Sequence, residues 1–311
     1  MGRLSPLATG IALGAAAGAM YVAVMLGTPG ALILVYLTQL PLFAAGLWLG
    51  TGAAVAAGLT GSVVLLAASD LLGAALFAAL NAGPVALLVR QALLARRRED
   101  GSLVWYPPGL LAAWLTGMAL VGIAAAVLLM GGPEPLQAAL RDVLAQVLDR
   151  VYGRQLANRE QVAATLATVI PGIVAASWMV TAIVNGALAQ GVLARFGANW
   201  RPSPGLASLG LPLWLPIALA AAAAATFLGG GPRFVGVNVI IALSVAFCLA
   251  GLAVLHAAVR RLSHPVMALV CFYTTAALFG WPFVVVAILG LLESWLGLRH
   301  RLAPQGASND G

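Results

Sequence analysis

The sequence predicts an all-α fold, a polytopic bundle of about nine to ten transmembrane helices with one additional amphipathic surface helix. Of the 311 residues, 62% are hydrophobic and only 8% are charged, and the mean hydropathy is +1.02. Soluble domains carry roughly a quarter charged residues, whereas a membrane span needs ~20 mostly apolar residues. Residues 1–302 are therefore predicted to form a single transmembrane domain with short loops and no sizeable soluble part.

Nine apolar segments separated by Gly, Pro or charged residues are the predicted spans. They cover residues 7–27, 31–50, 52–69, 71–94, 109–130, 162–192, 212–229, 235–258 and 266–298. The last segment is too long for one simple span, and it contains Pro282, which removes a backbone donor and clashes with the preceding turn. It is either one kinked helix or a hairpin of two short spans, 266–279 and 283–298.

The distribution of arginine favours the hairpin, and with it ten crossings. All 16 basic residues are Arg, and with a cytoplasmic N-terminus eleven of them fall on the inner side: Arg3, Arg90, Arg96, Arg97, Arg98, Arg195, Arg201, Arg260, Arg261, Arg299 and Arg301. The positive-inside rule thus predicts that both termini are cytoplasmic. A single last span would put Arg299 and Arg301 outside. Residues 303–311 are predicted to be a disordered cytoplasmic tail.

Residues 134–156 differ from the spans because apolar side chains recur at helical spacing while charges occupy the opposite face. The apolar positions are Leu136, Leu140, Val143, Leu144, Val147, Leu148 and Val151. This pattern predicts an amphipathic helix on the extracytoplasmic side. It either lies in the headgroup region or covers a cavity between the spans.

Composition excludes several classes of function. The chain has no Lys, so it lacks a P-loop lysine and Schiff-base chemistry, and no catalytic or metal-ligand motif is present. Its two cysteines, Cys248 and Cys271, lie in apolar runs and are interpreted as small buried hydrophobes. An enzyme, a cofactor and a metal are therefore not expected. Because anionic headgroups attract the arginines, the expected environment is the lipid bilayer, and no nucleic-acid partner is expected.

The first apolar segment carries Gly10, Gly14 and Gly18, one small residue per helical turn. Such a face lets two helix backbones approach closely in lipid. The neighbour is either another helix of this chain or a docked membrane protein. The segment also resembles a signal peptide around Ala15, but its apolar run continues past that point, which favours a retained span.

Polar residues inside apolar spans are costly and often functional. Trp178, Thr181 and Asn185 share one helical face, and together with Gln39 and Tyr36 they are the candidate ligand-binding residues. The alternative is that these groups only hydrogen-bond neighbouring helices. Pro171 and Gly172 are expected to break the same helix, as in transporter sites. Glu293 is expected to pair with Arg299 at a helix end, with proton coupling as the alternative.

Two predicted cytoplasmic loops, 96–108 and 197–216, combine arginine with turn residues and aromatic residues. Aromatic residues at such boundaries usually anchor a helix end at the headgroups. The alternative is that these loops dock other proteins.

Several runs resemble the YybS-like family of uncharacterised bacterial membrane proteins. They are LTQLPL (37–42), GLWLG (46–50), NGALAQ (185–190), RFG (195–197), PLWLP (212–216) and LGLLESWLGLR (289–299). That family is distantly similar to the substrate-binding S components of energy-coupling-factor transporters. The similarity implies a ligand cavity near the outer face and docking on a membrane partner through small residues of the first helix, the positions of Gly10, Gly14 and Gly18 here.

Two functions are therefore expected. The first is a transporter-like protein that binds or passes a small-molecule ligand, with a separate membrane protein as energising partner. The second is a non-catalytic scaffold or assembly factor that binds other proteins through its cytoplasmic loops.

Overall fold

A computed structural model describes residues 5–153, 158–205 and 209–301, which are nearly all helical. The chain begins with α1 (Pro6–Val22), α2 (Pro29–Tyr36), α3 (Gln39–Leu49), α4 (Thr51–Ala68), α5 (Leu71–Phe77), α6 (Gly83–Ala92), β1 (Ala95–Arg97), β2 (Leu103–Trp105) and α7 (Pro108–Leu129). It continues with α8 (Pro133–Tyr152), α9 (Arg159–Arg195), α10 (Trp214–Thr226), α11 (Gly230–Val259), α12 (Pro265–Phe279), α13 (Trp281–Leu296) and α14 (Leu298–Arg301). A 3-10 turn, Ala23–Leu26, follows α1, and a π-helical turn, Ala78–Ala82, joins α5 to α6.

The fold comprises two compact units. The first lies within residues 1–115 and 180–204, and the second within 116–179 and 205–311, so the divisions fall inside α7 and α9 and after Pro204. The single transmembrane domain over 1–302 stays a prediction. The expected disordered tail, 303–311, lies outside the described residues.

Seven helical segments of the described chain are long and apolar enough to cross a membrane, or eight if α12 and α13 form one bent span. The predicted count of nine to ten is not confirmed. The 13-residue α10 extends only ~20 Å at 1.5 Å per residue, less than the ~30 Å hydrocarbon core. The α12–α13 pair bends by 116°, because Gly280 adopts a positive φ of 72° and Pro282 follows.

The glycine stripe of α1 packs on α4 within the first unit. A Cβ at Gly10 would lie 2.9 Å from the Ala53 carbonyl oxygen, and one at Gly14 would meet the backbone of Ala57. At Gly18 it would lie 2.8 Å from Val64 Cβ. The absence of side chains therefore lets the two helix backbones touch, which maximises dispersion contacts in lipid.

The second unit uses the same device around α11. A Cβ at Gly251 would meet the carbonyl group of Val286 on α13, and one at Gly290 would meet the backbone of Phe247. Nearer the start of α11, a Cβ at Gly236 would lie 2.5 Å from the Ala222 carbonyl oxygen of α10. Small residues thus set the spacing of α10, α11 and α13.

The amphipathic segment forms α8, as predicted, and residues 154–156 of that prediction lie outside the described residues. Leu136 is buried, while Val143, Val147 and Val151 are exposed on the fold. A Cβ at Gly231 of α11 would lie 2.6 Å from Glu134 Oε1, so the two helices are in contact. The extracytoplasmic location of α8, as an interfacial helix or as a cover, stays a prediction.

Two details differ from the sequence-based expectations. Residues 95–105 form a two-stranded hairpin rather than an irregular loop, with Arg96 opposite Val104. Its turn suits Gly101, which has a φ of 82°, and Ser102 lowers the pKa of Asp100 by hydrogen bonding to its carboxylate. Cys271 is exposed and Cys248 is half-buried, so the expectation of two buried cysteines is wrong. In a membrane span, an apolar side chain can face lipid instead of the protein core.

The α1–α4 contact predicts the effect of adding one methyl group. Gly14→Ala should lower the free energy of unfolding by about 1–3 kcal/mol because its Cβ overlaps the Ala57 backbone. Gly122→Ala on α7 is the control, since nothing lies within 4 Å of its Cβ, and alanine favours helix. Thermal unfolding in detergent should separate the two variants. Equal melting temperatures would contradict the close packing.

Candidate functional site

The apolar segment Pro29–Leu49 is interrupted in its middle, at Leu37 and Thr38, where α2 ends and α3 begins. The Leu40 N–H donates to the Leu37 carbonyl at 3.0 Å instead of reaching Tyr36. One residue further, Pro41 has no N–H to donate. The Tyr36 carbonyl therefore leaves the ladder of helical hydrogen bonds.

Asn185 on α9 binds this carbonyl. Its Nδ2 donates to the Tyr36 oxygen at 2.7 Å and to the Thr181 oxygen, one turn earlier on α9, at 2.8 Å. The side chain is 1% exposed. Since a buried carbonyl needs a donor, Asn185 stabilises the interruption in the span.

Gln39, the first residue of α3, hydrogen-bonds a second irregular helical segment, the π-helical turn. The π-helical turn Ala78–Ala82 is followed by Pro84, which cannot donate the usual hydrogen bond to the Leu80 carbonyl. Gln39 Nε2 donates to that carbonyl and to Asn81 Oδ1, both at 3.3 Å. Gln39 is 2% exposed and Asn81 8%. A buried polar group thus joins α3 to the π turn. Such π turns are common at functional sites.

The oxygen end of each amide has no partner within the part of the chain that the structure describes. Gln39 Oε1 and Asn185 Oδ1 are buried and accept no hydrogen bond from the described residues. Exchanging oxygen and nitrogen in either amide would place its oxygen against other oxygens, so the orientations are fixed. A buried, unsatisfied acceptor costs about 1–3 kcal/mol. Thr38 and Gln39 lie at the interruption, Asn81 accepts from Gln39, and Asn185 donates to the Tyr36 carbonyl. We call these four buried residues the amide cluster.

The predicted site residues contribute to the site in different ways. Gln39 and Asn185 contribute side chains, whereas Tyr36 and Thr181 contribute backbone carbonyls. The ring of Tyr36 is exposed at 58%. Trp178 is half-buried on α9 and belongs to the second unit, so its predicted role as a wall of the site is not shown.

The candidate ligand-binding residues predicted from the sequence did not include Thr38, and Asn81 was noted only as a polar residue within an apolar span. The interruption beside them was not predicted. The available signals were Pro41 and Pro84. Each lies near the start of a helix and removes the N–H that the preceding turn would use.

The helix break expected at Pro171 and Gly172 does not occur, because α9 continues from Arg159 to Arg195. Asn238 of α11 lies against this position. Its Oδ1 accepts from the Gly172 N–H at 2.6 Å, and its Nδ2 donates to the carbonyls of Thr168 at 2.9 Å and Phe234 at 2.7 Å. One amide therefore satisfies the backbone beside the proline and preserves the helix.

Glu293 and Arg299 form the expected ion pair at the end of α13. Arg299 Nε donates to Glu293 Oε1 at 2.7 Å, and the Arg299 backbone N–H donates to Oε2 at 3.0 Å. Arg299 Nη2 also donates to the Leu209 carbonyl at 2.7 Å. The pair thus fixes the turn after α13 to the segment before α10.

The two predicted cytoplasmic loops meet at Arg201. This side chain is 6% exposed, and its Nη1 and Nη2 donate to the carbonyls of Ala92 at 3.1 Å and Tyr106 at 2.8 Å. Gln190 and Asn199 donate to the Arg201 carbonyl, each at 2.7 Å. Burial lowers the pKa of the Arg201 guanidinium. The end of α6, the hairpin and the loop after α9 therefore form one hydrogen-bonded surface.

The comparisons with known proteins identify a family but no characterised relative. A family model described as "Predicted membrane protein (DUF2232)" matches residues 16–294. No curated protein and no solved structure matches the chain. Among the described residues, no group of three or more His, Cys, Asp or Glu side chains is placed to hold a metal ion.

The satisfied amide at Pro171 predicts a structural role for Asn238. Asn238→Ala should lower the free energy of unfolding by about 1–3 kcal/mol because buried backbone groups lose their partner. Ser244→Ala on the same helix is the control, since its hydroxyl donates only within α11, to Ile241. Thermal unfolding of both purified variants tests this. A loss of similar size in both would contradict the role of Asn238.

Proposed function

Because the chain belongs to the DUF2232 family of predicted membrane proteins, we propose that it is a transporter-like protein that binds or passes a small solute at the amide cluster. The observation that carries this proposal is a pair of buried oxygens, Gln39 Oε1 and Asn185 Oδ1, to which none of the described residues donates a hydrogen bond. Both lie beside an interrupted span, and interrupted helices commonly form binding sites in transporters.

The alternative is a purely structural role, in which buried amides only join helices. Asn238 shows what such a residue looks like, because its oxygen and its nitrogen both have partners. Asn185 binds two carbonyls through its nitrogen in the same way, but its oxygen has no partner among the residues that the structure describes. A bound solute that donates hydrogen bonds or carries positive charge supplies what this oxygen lacks.

We further propose that the protein is YybS-like, non-catalytic and free of cofactors. It resides in the bacterial inner membrane, as its resemblance to bacterial membrane proteins suggests, with both termini cytoplasmic, which the arginine distribution supports. The distant similarity to S components suggests a separate energising partner. In this fold the stripe of Gly10, Gly14 and Gly18 already packs on α4, so such a partner would dock elsewhere.

A second candidate function is that of a membrane scaffold. The observation that favours it is Arg201, which joins the two predicted docking loops into one ordered surface. Arg96, Arg97 and Arg98 project from this surface as exposed residues. A partner with an acidic face would complement them.

The transporter-like proposal predicts a ligand that depends on Asn185. Native mass spectrometry of gently extracted protein should show a retained small solute, and Asn185→Leu should reduce its occupancy about tenfold or more, equivalent to ~1.4 kcal/mol of binding free energy. Asn238→Ala is the matched control, because it removes a buried but fully paired amide. Loss of the solute in both variants in proportion to folded protein would favour the structural role instead.

The scaffold proposal predicts a partner that depends on charge. Reversing Arg96, Arg97 and Arg98 to Glu should release a co-purifying protein, since opposite charges at an exposed interface then become like charges. Arg260→Glu with Arg261→Glu, at the end of α11, is the control. Cysteine accessibility must first show that topology is unchanged. Retention of the same partners by the triple variant would remove support for the scaffold.

A further inference from the structure

We propose that the amide cluster binds a bare monovalent cation, Na⁺ or K⁺, through the carbonyl oxygens of Gln39 and Asn185. This inference rests on the proposed solute-binding function and specifies its ligand. A coupling ion and a transported ion share this chemistry.

The cluster offers acceptors rather than donors. The Gln39 amide donates to Leu80 and Asn81, and the Asn185 amide donates to Tyr36 and Thr181. The Thr38 hydroxyl donates to the Leu34 carbonyl at 3.3 Å, which leaves its oxygen lone pairs available. Two buried carbonyl oxygens therefore accept no hydrogen bond from the described residues, while the side-chain donors of Thr38, Gln39 and Asn185 are engaged. A ligand here has to supply positive charge or hydrogen.

The interrupted helix adds a negative potential. The C-terminal end of α2 carries partial negative charge at Tyr36, whose carbonyl leaves the helical ladder, whereas the Leu34 and Val35 carbonyls still accept backbone N–H groups. The N-terminal end of α3 opposes this only weakly. Its Leu40 N–H already donates to Leu37, and Pro41 has no N–H. Unwound carbonyls and helix C-termini are the groups that coordinate cations in transporters with broken helices.

The charge of the site selects a monovalent ion. Thr38, Gln39, Asn81 and Asn185 are all neutral, and buried. Ca²⁺ is usually held by carboxylates as well as carbonyls, and the desolvation of a divalent ion would be left uncompensated by neutral oxygens. Rings of neutral carbonyl oxygens hold monovalent cations in channel filters.

The test measures the thermal unfolding of the full-length protein in detergent, in chloride salts of Na⁺, K⁺, methylammonium and choline at equal ionic strength. We expect Na⁺ or K⁺ to raise the melting temperature saturably over choline, by about 3 °C at a concentration tenfold above Kd. Gln39→Leu and Asn185→Leu should abolish this rise. Asn238→Ala, although less stable, should keep it. Identical melting temperatures of the wild-type protein in all four salts would overturn the inference, even if the leucine variants do not fold.

The two proposals fail separately. If methylammonium alone stabilises the protein, or if a neutral solute is retained and lost in Asn185→Leu without any effect of Na⁺ or K⁺, the solute-binding function stands and the cation assignment is wrong. If neither a cation nor a solute binds, both proposals are wrong, and ordered water satisfies the two oxygens.

Discussion

The rest of this structure depends on one constraint: backbone N–H and C=O groups must find hydrogen-bond partners without water. In a bilayer, every carbonyl that leaves a helix ladder needs a donor from the protein. Pro41, Pro84 and Pro171 each remove one N–H from an apolar helix. An amide side chain supplies hydrogen bonds near each of these positions: Asn185 at Tyr36, Gln39 at Leu80, and Asn238 at Thr168 and Gly172. The same chemistry thus produces a continuous helix at Pro171 and an interrupted one near Pro41.

Close backbone contact makes these polar contacts feasible. Amide side chains are short, so they reach the backbone of a neighbouring helix only when the two helices approach closely. Gly172 illustrates the relation, because a Cβ there would lie 2.9 Å from the backbone of Asn238. Glycine therefore lets the two helix backbones approach closely, and the amide side chain can then hydrogen-bond the backbone of the neighbouring helix.

Much of the fold could be predicted from the sequence, because apolar length is a direct consequence of bilayer thickness. The nine predicted apolar segments all contain helices, and the α8 pattern was sufficient to place an amphipathic helix. The number of membrane spans was harder to predict from the sequence, since it depends on the length of α10 and on how sharply the chain bends between α12 and α13. At the candidate site, Gln39 and Asn185 were predictable as costly polar residues. Their partners were not, because Tyr36, Thr181 and Leu80 contribute carbonyls, which every residue has.

The π-helical turn changes the direction in which the side chains of the following helix point around the helix axis. A π turn accommodates one residue more than an α turn, and each residue advances an α-helix by ~100°. Every side chain from Pro84 to the end of α6 is therefore rotated by that angle relative to α5. Deleting a single residue within Ala78–Ala82 would restore ideal α geometry and at the same time misalign the faces that α5 and α6 present. The π turn thus rotates the side chains of α6 relative to those of α5, so that one span presents two different faces along its length.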